Sequence, residues 1–205
     1  MRGFATSALW ILALAAWLCS GCATAPTASR SAAVKVDPPR VLAWRCPAPH
    51  RHRQAAVAAF EAPEGMEQAG SHMARIYAAA LSAGATFGRV VLSGSDGDPD
   101  RFLPSGTDLL VRGKVERLIV GSGALSEQVK VQVWVTDVGT DTVLWWVEQS
   151  ASSMPRPDLN LFWNVVPGGG AAPYGKLTRA LANQFVDLLS DAEAQRRGCF
   201  NLDRK

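Results

Sequence analysis

From residue 129 to residue 135 the chain alternates without a break: Val129, Val131, Val133 and Val135 are separated by Lys130, Gln132 and Trp134. Successive side chains of a strand point to opposite faces, so this period of two demands a sheet with the valines inward and a wetter face outside. The neighbours extend the pattern. Asp137-Val138-Gly139-Thr140-Asp141 is a turn, residues 142–150 (TVLWWVEQS) return as the hairpin partner, and residues 108–120 (DLLVRGKVERLIV) form a long strand ahead of it.

The first half reads differently. Residues 40–44 and 54–60 (QAAVAAF) are apolar runs separated by Cys46-Pro47-Ala48-Pro49, and the second run, continuous rather than alternating, suits a buried central strand. After Pro63-Glu64-Gly65, the spacing of Met66, Gly70, Met73, Tyr77 and Leu81 predicts an amphipathic helix that Gly84 stops. Residues 89–92 follow as a strand, completing a strand–helix–strand crossover. Residues 152–173 read as a loop that includes Gly168-Gly169-Gly170, and Leu177, Leu181, Phe185 and Leu188 mark a second helix ending near Gly198. The expected fold class is α/β: a mixed β-sheet with two main amphipathic helices on one face.

A chain of 205 residues with 48% hydrophobic and 19% charged positions holds one packed domain. Its net charge is +3, from 21 basic against 18 acidic residues, and no basic cluster of the kind a nucleic-acid binder shows accompanies it. The amino terminus is an address. Arg2 precedes the apolar residues 8–19, which as a helix rise about 18 Å, too short for a bilayer. With Ser20-Gly21-Cys22-Ala23 this reads as a secretory signal.

That cleavage region resembles the lipobox of bacterial lipoproteins, with Cys22 at the lipidated position and Cys19 where leucine is usual. The resemblance implies an acyl anchor on Cys22, and Ala23 in place of aspartate points to the outer membrane, periplasmic face. The other reading is an ordinary cleaved signal with a chance cysteine. The division expected is a signal peptide over 1–21, a lipidated flexible tether over 22–39 and a periplasmic α/β domain over 40–205. Cys46 and Cys199 then remain near the two ends of the domain, either joined as a disulfide in an oxidising compartment or present as two unrelated thiols.

Phe60-Glu61-Ala62-Pro63, Phe87-Gly88-Arg89-Val90-Val91, Asp108-Leu109-Leu110-Val111-Arg112-Gly113-Lys114-Val115 and Asp137 followed by Val143-Leu144-Trp145 occur in an order with a known counterpart. They resemble the lipoproteins built on the TolB N-terminal-like α/β fold. That superfamily includes the curli secretion channel lipoprotein, the Pel polysaccharide export lipoprotein and activators of penicillin-binding proteins. The resemblance implies the fold; it implies function weakly, because the fold hosts pores, rings and monomers.

Motifs for chemistry are missing. His50-Arg51-His52-Arg53 pairs two imidazoles with arginines, a poor cation site that reads as a solvated basic loop. Asp96, Asp98 and Asp100 have calcium-loop spacing, yet Arg101 and Thr107 occupy the positions of the turn glycine and the bidentate acid. Gly113-Lys114 lacks a phosphate-loop spacing, Gly121-Ser122-Gly123 lacks a dinucleotide context, and no G-x-S-x-G occurs. Neither an enzyme nor a metal or cofactor is expected.

The tryptophans are more informative. Trp134 falls opposite the valines, and the adjacent Trp145 and Trp146 must face opposite sides of one strand. Either residues 152–173, with Leu161, Phe162 and Trp163, fold back over the polar face, or Trp134, Trp146, Phe162 and Trp163 form an interaction surface. The function expected is that of a lipid-anchored, non-enzymatic assembly, secretion-accessory or scaffold lipoprotein that contacts an envelope protein or itself, in the latter case as a ring. The alternative is a glycan or small-ligand binder that stacks its ligand on tryptophan beneath a glycine-rich lid.

Overall fold

The computed structural model of the chain describes residues 32–45, 52–93, 103–121, 125–160, 162–163, 165–166 and 168–190. Cys22, Cys46, Cys199, His50, Asp96, Asp98 and Asp100 lie outside the described residues.

Seven strands make one mixed sheet. The three long antiparallel strands are β5 (Leu109–Ile119), β6 (Glu127–Asp137) and β7 (Thr142–Ser153). Beyond β5 come β3 (Gln54–Val57) and β4 (Arg89–Leu92), with β3 parallel to both of its neighbours. At the other edge β1 (Val34–Val36) and β2 (Arg40–Trp44) pair in succession with β7. They amount to one edge strand broken at Asp37-Pro38-Pro39, where proline has no N–H to give a ladder. Pairing with β7 begins before residue 39: Val36 is registered with Ala151, and the Asp37 N–H donates to Ser150 O. At three residues, β1 is too short to leave a periodic signal in sequence.

Helix α1 (Glu67–Ala83) connects β3 to β4, the expected crossover, and α2 (Tyr174–Ser190) closes the described chain. The two run side by side in the same direction, since His72 lies against Tyr174 and Gly175 at one end while Gly84 meets Val186 at the other. Both bury their apolar stripes on one face of the sheet, in a core that joins Met73, Tyr77 and Leu81 of α1 to Leu177, Leu181 and Phe185 of α2 over the four valines of β6. The sheet curls around them as a half-barrel.

The short parallel strand explains its own sequence. Ala55 and Val57 face the helices, while Ala56 and Ala58 face a small second cluster with Leu110, Val91 and Leu103. Both sides are covered, so the run is continuously apolar. Past β3 the chain still follows β5. The Glu61 N–H donates to Gly113 O, and Val115 N–H donates back to Glu61 O. Between these bonds the Phe60 ring lies over Gly113, where an added Cβ would come within 2.5 Å of the ring. A Cβ on Gly70 of α1 would fall 2.1 Å from the Phe60 carbonyl oxygen. The Phe60-Glu61-Ala62-Pro63 segment is thus a wedge held by two glycines.

Residues 152–173 are not a plain loop. β7 runs on to Ser153, and β8 (Leu159–Asn160) pairs with β9 (Val165–Val166) as a small hairpin. Its strands are too short to show a period in sequence.

Candidate functional site

The face of β5, β6 and β7 turned away from the helices carries the polar positions of the alternation. Register aligns Arg112, Trp134 and Trp146 as one row across three strands, with Lys114, Gln132 and Glu148 as the next. The adjacent tryptophans divide as strand geometry requires: Trp145 is 1% exposed against Trp44 and Phe87 in the core, and Trp146 is 39% exposed on the outer face. Trp134 is half-buried beside it.

Below the tryptophans a polar ladder fixes the face. The Trp146 indole N–H donates to Gln132 Oε1 at 3.1 Å, and the Gln132 amide donates to Glu116 Oε1. Lys130 Nζ then reaches Glu116 Oε2 at 2.8 Å and Glu148 Oε2 at 3.0 Å. Donating to Glu116 and Glu148 raises the Lys130 ammonium above its ordinary range, and accepting from Lys130 lowers Glu148 below the usual carboxylate range. One ammonium bridges two carboxylates, so the ladder presents a pre-oriented surface with an aromatic row along one side. It positions groups for contact and contains no nucleophile paired with a base.

Phe162 and Trp163 occupy the tip of the β8–β9 hairpin. They are 97% and 91% exposed, with ring centroids 6.2 Å apart, so these two rings do not cover the sheet face. Phe162 has φ of +55°, a left-handed conformation uncommon for a bulky side chain. Met154 and Leu159 on the approach to the tip are exposed as well.

The glycine run does not form an open lid. Arg156 and Gly169 exchange backbone hydrogen bonds, Gly168 N–H donates to Asp158 Oδ1 at 2.6 Å, and Ala32 N–H donates to Gly170 O. Gly168 is required here because a Cβ would fall 2.0 Å from Arg156 O. The run clamps the base of the hairpin to the start of the described chain.

The basic loop also resolves differently at its end. Arg53 Nη2 contacts Asp137 Oδ2 at 2.6 Å, tying the start of β3 to the end of β6, while His52 is exposed. The remaining described histidine, His72, shares a 2.8 Å hydrogen bond between Nδ1 and the Tyr174 hydroxyl. Among the described residues no three His, Cys, Asp or Glu side chains gather as a metal site. No described helix is long and apolar enough to cross a membrane. Cys22, the expected lipidation position, and Cys46 and Cys199, the candidate disulfide, lie outside the described residues.

No family model matches the chain, and no curated protein matches it. Solved structures do. A PelC L103M dodecamer from Paraburkholderia phytofirmans is 18% identical, with 78% of this chain and 99% of that chain covered and a TM-score of 0.53. A second PelC dodecamer from that organism is 16% identical, covers 77% and 97%, and scores 0.52. Lipoprotein GNA1162 from Neisseria meningitidis, 16% identical over 68% and 99%, scores 0.38, below the level of a shared fold. The chain has the fold of the PelC protomer, a mixed α/β sheet with two helices.

Proposed function

We propose that this chain is a lipid-anchored, periplasm-facing lipoprotein of the outer membrane that acts without catalysis as an assembly, secretion-accessory or scaffold component. Residues 1–21 are its signal peptide, Cys22 carries the acyl chains, and a short tether leads to the α/β domain that continues to residue 205. Contacts are made by the outer sheet face around Trp134 and Trp146 and by the hairpin tip at Phe162 and Trp163. The observation that carries this reading is the hairpin: two aromatic rings more than nine-tenths exposed on a clamped, strained tip. Exposed aromatics are costly in solution and are concentrated at protein contacts. Crystals of the similarly folded PelC contain dodecamers, which supports a homo-oligomer here as one form of that contact.

The test has two arms. Palmitate labelling with membrane fractionation should place the wild-type chain in the outer membrane and release the unlabelled Cys22→Ser variant; label retained by that variant overturns the anchor. Light scattering and crosslinking of the wild-type chain should give a complex or oligomer that Trp163→Ser weakens. A monomer with no crosslinked partner overturns the contact reading.

A second reading, glycan binding, has one observation in its favour. Trp146 is partly exposed and held by Gln132 beside a row of hydrogen-bonding side chains, an arrangement that suits a sugar ring. Quenching of tryptophan fluorescence by periplasmic glycans, lost in Trp146→Ala, would favour it.

A further inference from the structure

We infer that the groove between α1 and α2 is a second binding site, independent of the sheet face and the anchor, for an acidic peptide segment of a partner protein. The groove is a solvent-open trough of about 660 Å³ on the outer side of the helix pair. Ile76 and alanines of α1 form its floor, Arg75 and Arg179 stand on its two walls, and His72 and Asn183 complete it. The volume lies in the range of ligand sites, and the small floor side chains leave room for a guest.

Charge selects the guest. Among the described residues neither Arg75 nor Arg179 is engaged in an ion pair. The acidic groups on the same helices are Glu67, whose carboxylate takes the Gly65 N–H in the first turn, and Asp187, two turns beyond Arg179. Two guanidiniums facing one groove call for carboxylates, which arginine grips with paired hydrogen bonds. The apolar floor between them calls for a small apolar side chain between those carboxylates. A lipid surface fits less well: neither helix exposes a large hydrophobic side chain, and such chains are what an interfacial helix buries.

The probe is a short fluorescein-labelled peptide of repeating Glu-Ala-Glu-Leu, with its Gln-for-Glu counterpart as the neutral control. Anisotropy is read on the full-length chain carrying Cys22→Ser in nonionic detergent. The Glu peptide should bind and the Gln peptide should not. The double variant Arg75→Gln/Arg179→Gln should weaken binding about tenfold or more. Ala79→Trp, which fills the floor at an exposed position, should weaken it similarly, and Lys35→Gln on the edge strand β1 should leave it unchanged. Absence of binding, equal binding of both peptides, or an Ala79→Trp variant that binds as wild type overturns the site. So does an arginine effect seen only in partition onto micelles doped with phosphatidylglycerol.

Discussion

Tyr77 donates its hydroxyl to Gln149 Oε1 at 3.0 Å across 72 positions of sequence, with both side chains buried. Gln149 passes the connection on: its amide donates to Leu181 O at 2.9 Å and to Gln184 Oε1 at 2.7 Å. Gln184 in turn donates to Asp37 O, and Asp37 accepts from the Ser150 hydroxyl. One polar chain thus fastens α1, β7, α2 and the broken edge strand together inside an apolar core. Burial without a countercharge raises the Tyr77 phenol far above its ordinary range, so it stays a donor at every working pH.

Removing one member of that chain strands the other. Tyr77→Phe should lower stability by about 1–3 kcal/mol in urea unfolding, because Gln149 Oε1 is left without a donor in the core. Gln149→Leu should cost at least as much, since it orphans the phenol and takes the donor from Gln184 Oε1. The double variant Tyr77→Phe/Gln149→Leu should lose less than the sum of the two, and strict additivity would show that the pair does not act as a unit.

The slot for Phe60 makes a sharper steric prediction. Gly113→Ala should destabilise by about 1–3 kcal/mol, because its Cβ enters the Phe60 ring and both belong to a close-packed core. Combining it with Phe60→Leu, which vacates part of the slot, should restore some of the loss in thermal unfolding. No recovery would mean that the cost comes from the β5 backbone rather than from the ring.

Much of this fold is legible in sequence. The valine alternation marks the central strand and its inward face, and the continuous apolar run marks a strand covered on both sides. The residues bearing on the candidate site are legible to the extent that period two puts Trp134 and Trp146 on one face. Four features are not. β1 is a three-residue edge strand next to prolines, the β8–β9 strands are two residues each, and neither length supports a period. Gln149 occupies an inward position where alternation predicts an apolar residue; only the approach of Tyr77 and α2 makes a glutamine acceptable there. The α1–α2 groove depends on how two helices lie against each other, which no single segment encodes.

Acid should act on two carboxyls with opposite sign. The Arg53 hydrogen bond lowers Asp137 below its ordinary 3.8, so this pair stabilises the fold above that value and is lost as pH falls through the lower folded value. Arg53→Gln should therefore flatten the loss of stability below about pH 4. Glu127 is 5% exposed, and burial raises its carboxyl although Tyr174 N–H donates to it. Its folded value exceeds the unfolded one, so its ionisation removes stability as pH rises through 4.5 towards the folded value. Glu127→Gln, which keeps an acceptor for Tyr174, should raise the midpoint of urea unfolding at pH 7 relative to pH 4.

The hairpin tip separates stability from contact. Phe162 and Trp163 bury almost nothing in the isolated chain, so Phe162→Ser/Trp163→Ser should change stability by no more than about 0.5 kcal/mol. Relief of the left-handed backbone at position 162 adds a test of its own: Phe162→Gly should be neutral or slightly stabilising, because glycine adopts that conformation freely. Iodide should quench Trp163 fluorescence in the free chain and lose access once a partner or second copy covers the tip. If the serine pair is stable and folded but crosslinks in the envelope as efficiently as wild type, the hairpin is not the contact. The Trp134–Trp146 face would then have to carry it, and Trp146→Ala would be the variant to read next.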